Sequence, residues 1–111
     1  MTNQLASKKC KPCEGGVHPL SREEAQAYLK ELNGWELLPD AKVIRTTYVM
    51  KNFVAAVDLI RKIAGVAEAE NHHPDLHLTG YRKLAVELST HAIGGLSEND
   101  FILAAKIDAL L

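Results

Sequence analysis

The longest periodic segment of the chain runs from Phe53 to about Asn71, and it limits the possible folds more than any other part of the sequence. Its apolar residues recur every three or four positions without a proline, and Asn52 can cap its first turn. Pro74 disfavours a helical conformation at His73, so the helix is expected to end at Asn71 or one residue later. A long amphipathic helix therefore leads directly into a pair of histidines.

Shorter patterns on both sides of this segment predict two more helices and four strands. Ser21 and Glu24 form a capping-box pattern before a helical stripe that ends at Asn33 and Gly34, and Ser97 can cap a last helix. The predicted strands are Trp35–Leu38, Val43–Met50, Leu76–Leu78 and Lys83–Thr90. The order α-β-β-α-β-β-α favours an α+β sandwich, in which helices cover one face of an antiparallel sheet.

Length and charge limit the kinds of protein that the chain can be. Its 111 residues suit one compact domain at residues 21–111, preceded at residues 1–20 by an arm that its glycines and prolines predict to be irregular. Thirteen basic residues nearly balance 14 acidic ones, which argues against direct binding of nucleic acid. The sequence has no apolar segment of membrane-span or signal-peptide length, so we expect a cytoplasmic protein without membrane contact.

Four of the five histidines fall within twenty positions of one another, namely His72, His73, His77 and His91. Histidine both gives and takes protons near neutral pH, so such a cluster suits a reaction whose steps are proton transfers. Glu68 lies four residues before His72 and is expected to orient that imidazole from the same helix face. On the last strand, His91 falls opposite the apolar side chains, so we expect it to face a cleft or solvent.

Other interpretations of the polar residues stay open. Asp100 follows Ser97 by three residues, where an acidic side chain caps a helix, so a structural role explains it without function. The adjacent histidines could likewise cap helix carbonyls. Cys10, Cys13 and His18 offer three ligands of a zinc site but no fourth. The main histidine cluster lacks the spacing of a zinc motif, and we expect no bound metal.

At these residues the sequence resembles the pterin-4a-carbinolamine dehydratases, whose signature runs from an acidic residue through His-His-Pro to an aromatic residue, a histidine and an aspartate. The signature positions are filled in order by Glu68, His72, His73, Pro74, Tyr81, His91 and Asp100. The similarity covers about residues 20–108 and includes Gly34–Trp35, Leu88–His91 and Gly95–Glu98. His77 lies outside the signature, and Leu76 stands where the family often has an aromatic residue, so weaker stacking on a pterin ring is expected.

The resemblance implies a hydro-lyase that dehydrates 4a-hydroxytetrahydropterin to quinonoid dihydropterin and water in the recycling of tetrahydropterin. It also implies a four-stranded antiparallel sheet, a homodimer or homotetramer, a small-molecule pterin substrate and no metal or organic cofactor. The three histidines His72, His73 and His91 would line the site as acid and base groups. Glu68 would orient or charge a histidine, Pro74 would shape the loop, and Asp100 would contribute beside its capping role.

The same resemblance leaves a second class of function open. Relatives of this family also serve as a dimerisation cofactor of a transcription factor or as Rubisco assembly factors, so a binding or assembly role is the alternative. A pure binding protein does not need a complete histidine set. The presence of all three signature histidines therefore favours the enzyme.

Overall fold

The computed structural model describes residues 4–10 and 18–111, and its helices and strands follow the predicted order. The helices are α1 (Arg22–Leu29), α2 (Phe53–Glu70) and α3 (Glu98–Asp108), and the strands are β1 (Glu36–Leu37), β2 (Ile44–Val49), β3 (Asp75–Thr79) and β4 (Lys83–Leu88). Short 3-10 helices occur at Gln4–Ser7 and His91–Ile93. The predicted α+β class and the order α-β-β-α-β-β-α are confirmed.

The four strands form one antiparallel sheet in the order β1-β2-β4-β3. The central pair, β2 and β4, runs from Ile44 opposite Leu88 to Val49 opposite Lys83. Alternate residues of a strand share a face, and the buried ones here, such as Ile44 and Leu84, join the apolar side chains of the helices in one core. The sandwich predicted from the element order is therefore present.

The ends of the helices follow from local chemistry. Ser21 and Glu24 cap α1 reciprocally, as predicted, but α1 ends at Leu29 rather than near Asn33. The side-chain oxygen of Asn52 accepts the backbone N–H of Ala55 at 2.8 Å and so caps α2. Within residues 4–10 and 18–111, no helix is both long enough and apolar enough to cross a bilayer.

The C-terminal end of α2 turns the chain sharply before the histidine pair. Asn71 has φ +51°, in the left-handed region, and its backbone N–H donates to carbonyls of the last helical turn. The backbone N–H of His72 donates to the Ala67 carbonyl at 3.1 Å, which closes the helix end. The helix therefore stops at Glu70, and His72 no longer follows helical phase.

The segment after β4 differs from the prediction. β4 ends at Leu88 instead of continuing to Thr90, which instead forms a single bridge with Gly95. His91 then begins a 3-10 helix, so its predicted place on a strand is wrong. A Cβ atom at Gly95 would lie 2.7 Å from the Pro19 side chain, so this close approach requires glycine.

Part of the predicted irregular arm packs on the domain. The 3-10 helix Gln4–Ser7 lies against α3, and Leu5 is only 2% exposed within the core. Cys13 lies outside the described residues, so the zinc site considered for Cys10, Cys13 and His18 lies partly outside them. The domain boundary at residue 20 stays a prediction, although Leu5, before that boundary, packs in the core of the domain.

Candidate active site

A cavity of about 430 Å³ opens where the end of α2, the segment after β4 and the start of α3 meet. Its lining includes the three histidines that the sequence predicts to be catalytic. The lining residues are Cys10, Glu70, Asn71, His72, His73, Ser89, Thr90, His91, Ala92 and Asn99. The fold thus brings together side chains that are nearly twenty positions apart in the sequence.

His72, which lines this cavity, forms a largely buried polar contact with Asp100. Nε2 of His72 lies 2.6 Å from Oδ1 of Asp100, and their side chains are 12% and 0% exposed. The second carboxylate oxygen, Oδ2, accepts the Thr90 hydroxyl at 2.8 Å and the backbone N–H of Ser97 at 2.9 Å. Asp100 therefore caps α3, as predicted, and also fixes the orientation of His72.

This geometry, with Asp100 as a carboxylate, implies which nitrogen of His72 carries the proton in its neutral form. A carboxylate only accepts hydrogen bonds, so the proton between His72 and an ionised Asp100 belongs to Nε2. In the neutral ring Nδ1 is then the nitrogen that can accept a proton. Asp100 also stands in the first turn of α3, where the helix dipole favours a negative charge.

Glu68 is hydrogen-bonded to a histidine other than His72, so the prediction that it orients His72 is wrong. Its carboxylate Oε2 instead contacts Nε2 of His73. The left-handed turn at Asn71 is the reason, because it takes His72 out of helical phase. The side chains of Glu68 and His73 are 75% and 56% exposed, so this pair lies at the open side of the site.

The remaining predicted residues occupy four different positions. His91 is exposed and lines the cavity, which confirms that it lies outside the core although it is not on a strand. Pro74 separates the histidine pair from β3 and does not appear in the cavity lining. Leu76 packs against the hydrophobic core, and exposed Tyr81 lies in the turn between β3 and β4. Contact of Pro74 with a substrate stays a prediction.

His77 lies outside the cavity, on β3. Its Nε2 is 3.3 Å from Oε1 of Glu87 on the neighbouring strand, and its side chain is exposed. His77 is therefore separate from the candidate site and can serve as a control for the cavity histidines.

Two cavity residues were missed by the sequence interpretation. Oε1 of Glu70 accepts the backbone N–H of Cys10 at 2.7 Å, and Oε2 lies 3.7 Å from Nζ of Lys106. Burial is the main cause that raises the pKa of the Cys10 thiol to about 12, with the negative charges of Glu70 and Asp100 adding to it. No motif marked Glu70, which stands two positions before His72, and Cys10 was considered only as a zinc ligand.

The described residues contain no group of three or more histidine, cysteine, aspartate or glutamate side chains arranged to hold a metal ion. Two of the cavity histidines, His72 and His73, are instead each paired with one carboxylate. Imidazoles paired with carboxylates in a cavity form a site that is suited to transferring protons to and from a small molecule.

Comparison with known proteins identifies the family. Residues 18–110 match the family model described as pterin 4 alpha carbinolamine dehydratase, and the chain belongs to this family. A Nitrosomonas eutropha protein, provisionally named a pterin-4-alpha-carbinolamine dehydratase, is 53% identical over 100% of this chain and 98% of its own length. The Arabidopsis thaliana protein named pterin-4-alpha-carbinolamine dehydratase 2, mitochondrial, is 43% identical over 96% of this chain and 58% of its own length.

Solved structures support the same fold. The crystal structure of a transcriptional coactivator/pterin dehydratase from Brucella melitensis superposes with a TM-score of 0.78 at 29% identity, covering 84% of this chain and 98% of that one. A pterin dehydratase-like protein identified as a RuBisCO assembly factor in the alpha-carboxysome has a TM-score of 0.59 at 16% identity, covering 70% of this chain and 89% of that one. The second likeness concerns the fold alone.

Proposed function

We propose that the chain dehydrates 4a-hydroxytetrahydropterin to quinonoid dihydropterin and water, and so takes part in recycling tetrahydropterin. The observation that carries this proposal is the buried pair of His72 and Asp100 in a cavity that His73 and His91 also line. Family membership supplies the substrate class, and the cavity supplies groups that fit the chemistry.

The reaction needs two proton transfers and no change of oxidation state. The hydroxyl at the 4a carbon takes up one proton and leaves as water. The neighbouring ring nitrogen gives up one proton, and its electron pair forms the new double bond to the 4a carbon. Protons therefore balance, and positioned histidines can carry out both transfers.

The hydrogen bonds suggest a division of roles. Asp100 holds Nε2 of His72, which leaves Nδ1 to take the proton from the ring nitrogen, so we assign His72 as the base. His73 and His91 are exposed at the cavity and are assigned to the departing hydroxyl. Glu68 acts on His73 by orienting its ring.

The binding or assembly role remains the second candidate, because one structural neighbour is a transcriptional coactivator/pterin dehydratase. A protein that acts only through its surface does not require a buried carboxylate beside a cavity histidine. Asp100 and His72 are arranged in this way, so the enzymatic function has the stronger support.

The proposal is tested by adding purified protein to freshly generated 4a-hydroxytetrahydropterin and following its decay. We expect the decay to accelerate in proportion to protein concentration. Decay at the buffer rate would overturn the enzymatic proposal, and recovery of a stoichiometric large partner from lysate would then favour the assembly role. We further expect a homodimer or homotetramer, which sedimentation equilibrium measures directly, and a cytoplasmic location, which fractionation of cells checks.

A further inference from the structure

The segment of residues 4–10 precedes the part of the chain that matches the family model, yet it is attached to the domain. Leu5 anchors it in the core, and Nζ of Lys8 forms an ion pair with Oε2 of Glu98 at 3.0 Å. These two contacts hold the segment along α3 and direct its end towards the cavity.

Cys10, at the end of this segment, bridges the two helix ends that carry the site. Its backbone N–H donates to Glu70 at the end of α2, at 2.7 Å. Its thiol donates to the backbone carbonyl of Asn99 at the start of α3, at 3.6 Å. Cys10, Glu70 and Asn99 all line the cavity, so the bridge itself is one of its walls.

The thiol of Cys10 is suited to lining the cavity rather than to reacting. Burial is the first cause of its raised pKa of about 12, so the thiol stays neutral at physiological pH. A neutral thiol donates a weak hydrogen bond and packs like a small apolar group. It is therefore suited to contact a ligand without taking part in proton transfer.

The carboxylate of Glu70 is the group that fixes this wall. Its side chain is 11% exposed, and the ion pair with Lys106 holds it in place at the end of α2. A hydrogen bond to a charged, largely buried acceptor is stronger than one between neutral groups. Loss of this acceptor would release the end of the segment from the cavity.

We propose that Cys10, held at the end of the segment of residues 4–10, forms a substrate-binding wall of the pterin cavity and that Glu70 is the positioning residue that holds this wall through the backbone N–H of Cys10. The inference rests on the proposed function for the identity of the ligand. Because the wall contributes binding and no proton transfer, it governs affinity for the pterin and leaves the chemical step unchanged.

The test measures the Kd of a 7,8-dihydropterin by fluorescence titration, and KM and kcat by the dehydration assay. Cys10→Pro removes the backbone donor, and Glu70→Ala removes its acceptor. Each is expected to raise Kd and KM about tenfold, the effect of about 1.4 kcal/mol, with kcat within about twofold of wild type. Cys10→Ala keeps the donor and Glu70→Gln keeps an acceptor, so both are expected to stay within about threefold of wild type.

Lys9→Ala, in the same segment but exposed, is the matched control and should bind as wild type does. Circular dichroism establishes that each variant is folded, and Cys10→Pro keeps the test valid if Glu70→Ala does not fold. Wild-type affinity in Cys10→Pro, or an equal loss in Cys10→Ala and Cys10→Pro, would overturn the inference. Failure of the wild-type dehydration assay would instead overturn the proposed function, because Kd is measured without turnover.

Discussion

His72 and Asp100 are 28 positions apart in the sequence, yet Nε2 of the imidazole lies 2.6 Å from a fully buried carboxylate oxygen. Asp100 reaches this position because it stands in the first turn of α3, where it also accepts the backbone N–H of Ser97. One carboxylate therefore caps a helix and orients a cavity histidine. The function of the site and the packing of α3 depend on the same residue.

Asp100→Asn is expected to reduce both kcat and stability. An amide carries no charge, and the orientation that places Oδ1 of the side chain near Thr90 and Ser97 turns its NH₂ group towards His72. The proton of His72 is then forced onto Nδ1, the nitrogen assigned as the base. We expect kcat to fall by about 10²-fold or more, in line with loss of general base catalysis. Steady-state kinetics of the folded variant measure this, and an unchanged kcat would refute the assigned role of Asp100.

Glu68→Gln separates function from stability at the second pair. Glu68 and His73 are both mostly exposed, so their contact should contribute less than about 1 kcal/mol to the free energy of unfolding. We expect an unchanged melting temperature together with a kcat about tenfold lower, the lower end of what loss of an orienting partner costs. Thermal denaturation and kinetics on the same preparation check both parts. Loss of stability without loss of kcat would show a structural role only.

Leu5→Ala tests whether the start of the chain belongs to the core. Leu5 is 2% exposed and is packed among buried residues of the domain. Truncation of a buried leucine leaves a cavity, so we expect the free energy of unfolding to fall by about 2–5 kcal/mol. Urea denaturation measures the change, with Leu111→Ala at an exposed leucine as the control. Equal stability of Leu5→Ala and wild type would show that this packing is absent.

Asp108 predicts a pH dependence of stability at the far end of α3. Its carboxylate accepts hydrogen bonds from Trp35 and Tyr48, but burial is the larger effect and raises its pKa above the ordinary value of 3.8. A raised pKa in the folded state means that the folded protein holds the proton more tightly. Its contribution to stability is therefore full below about pH 3.8 and is lost as the pH rises through the raised value.

Asp108→Asn removes this titration while keeping an acceptor for Trp35 and Tyr48. We expect the free energy of unfolding of wild type, relative to the variant, to decrease as the pH rises from below 3.8 towards neutrality. Urea denaturation of both proteins at a series of pH values gives this difference. A difference that increases with pH would contradict the assigned sign.

The fold could be predicted to a large extent because its signals are local. Capping residues such as Ser21 and Asn52 mark where helices begin, and both make the expected hydrogen bonds. The short 3-10 helix after β4 was not predicted. β4 ends at Leu88, and His91 begins this helix. Leu5 was missed because one apolar residue in a polar stretch has no periodicity to mark it.

The histidines of the candidate site could be predicted, but their carboxylate partners could not. The clustered histidines and the family signature indicated His72, His73 and His91, which line one cavity. The histidines have other carboxylate partners than predicted because Asn71 adopts a left-handed conformation. Residue spacing along a helix does not reveal such a conformation. Glu68 consequently meets His73, and His72 finds its carboxylate on α3.

The central claim is that the histidines of this cavity carry out the dehydration. The most direct measurement is the initial rate of 4a-hydroxytetrahydropterin decay with wild type and with His72→Ala, His73→Ala, His91→Ala and His77→Ala. We predict that each of the first three lowers the catalysed rate by about 10²- to 10⁴-fold, whereas the control His77→Ala stays within about twofold of wild type. Wild-type rates in all three cavity variants, or an equal loss in His77→Ala, would contradict the account.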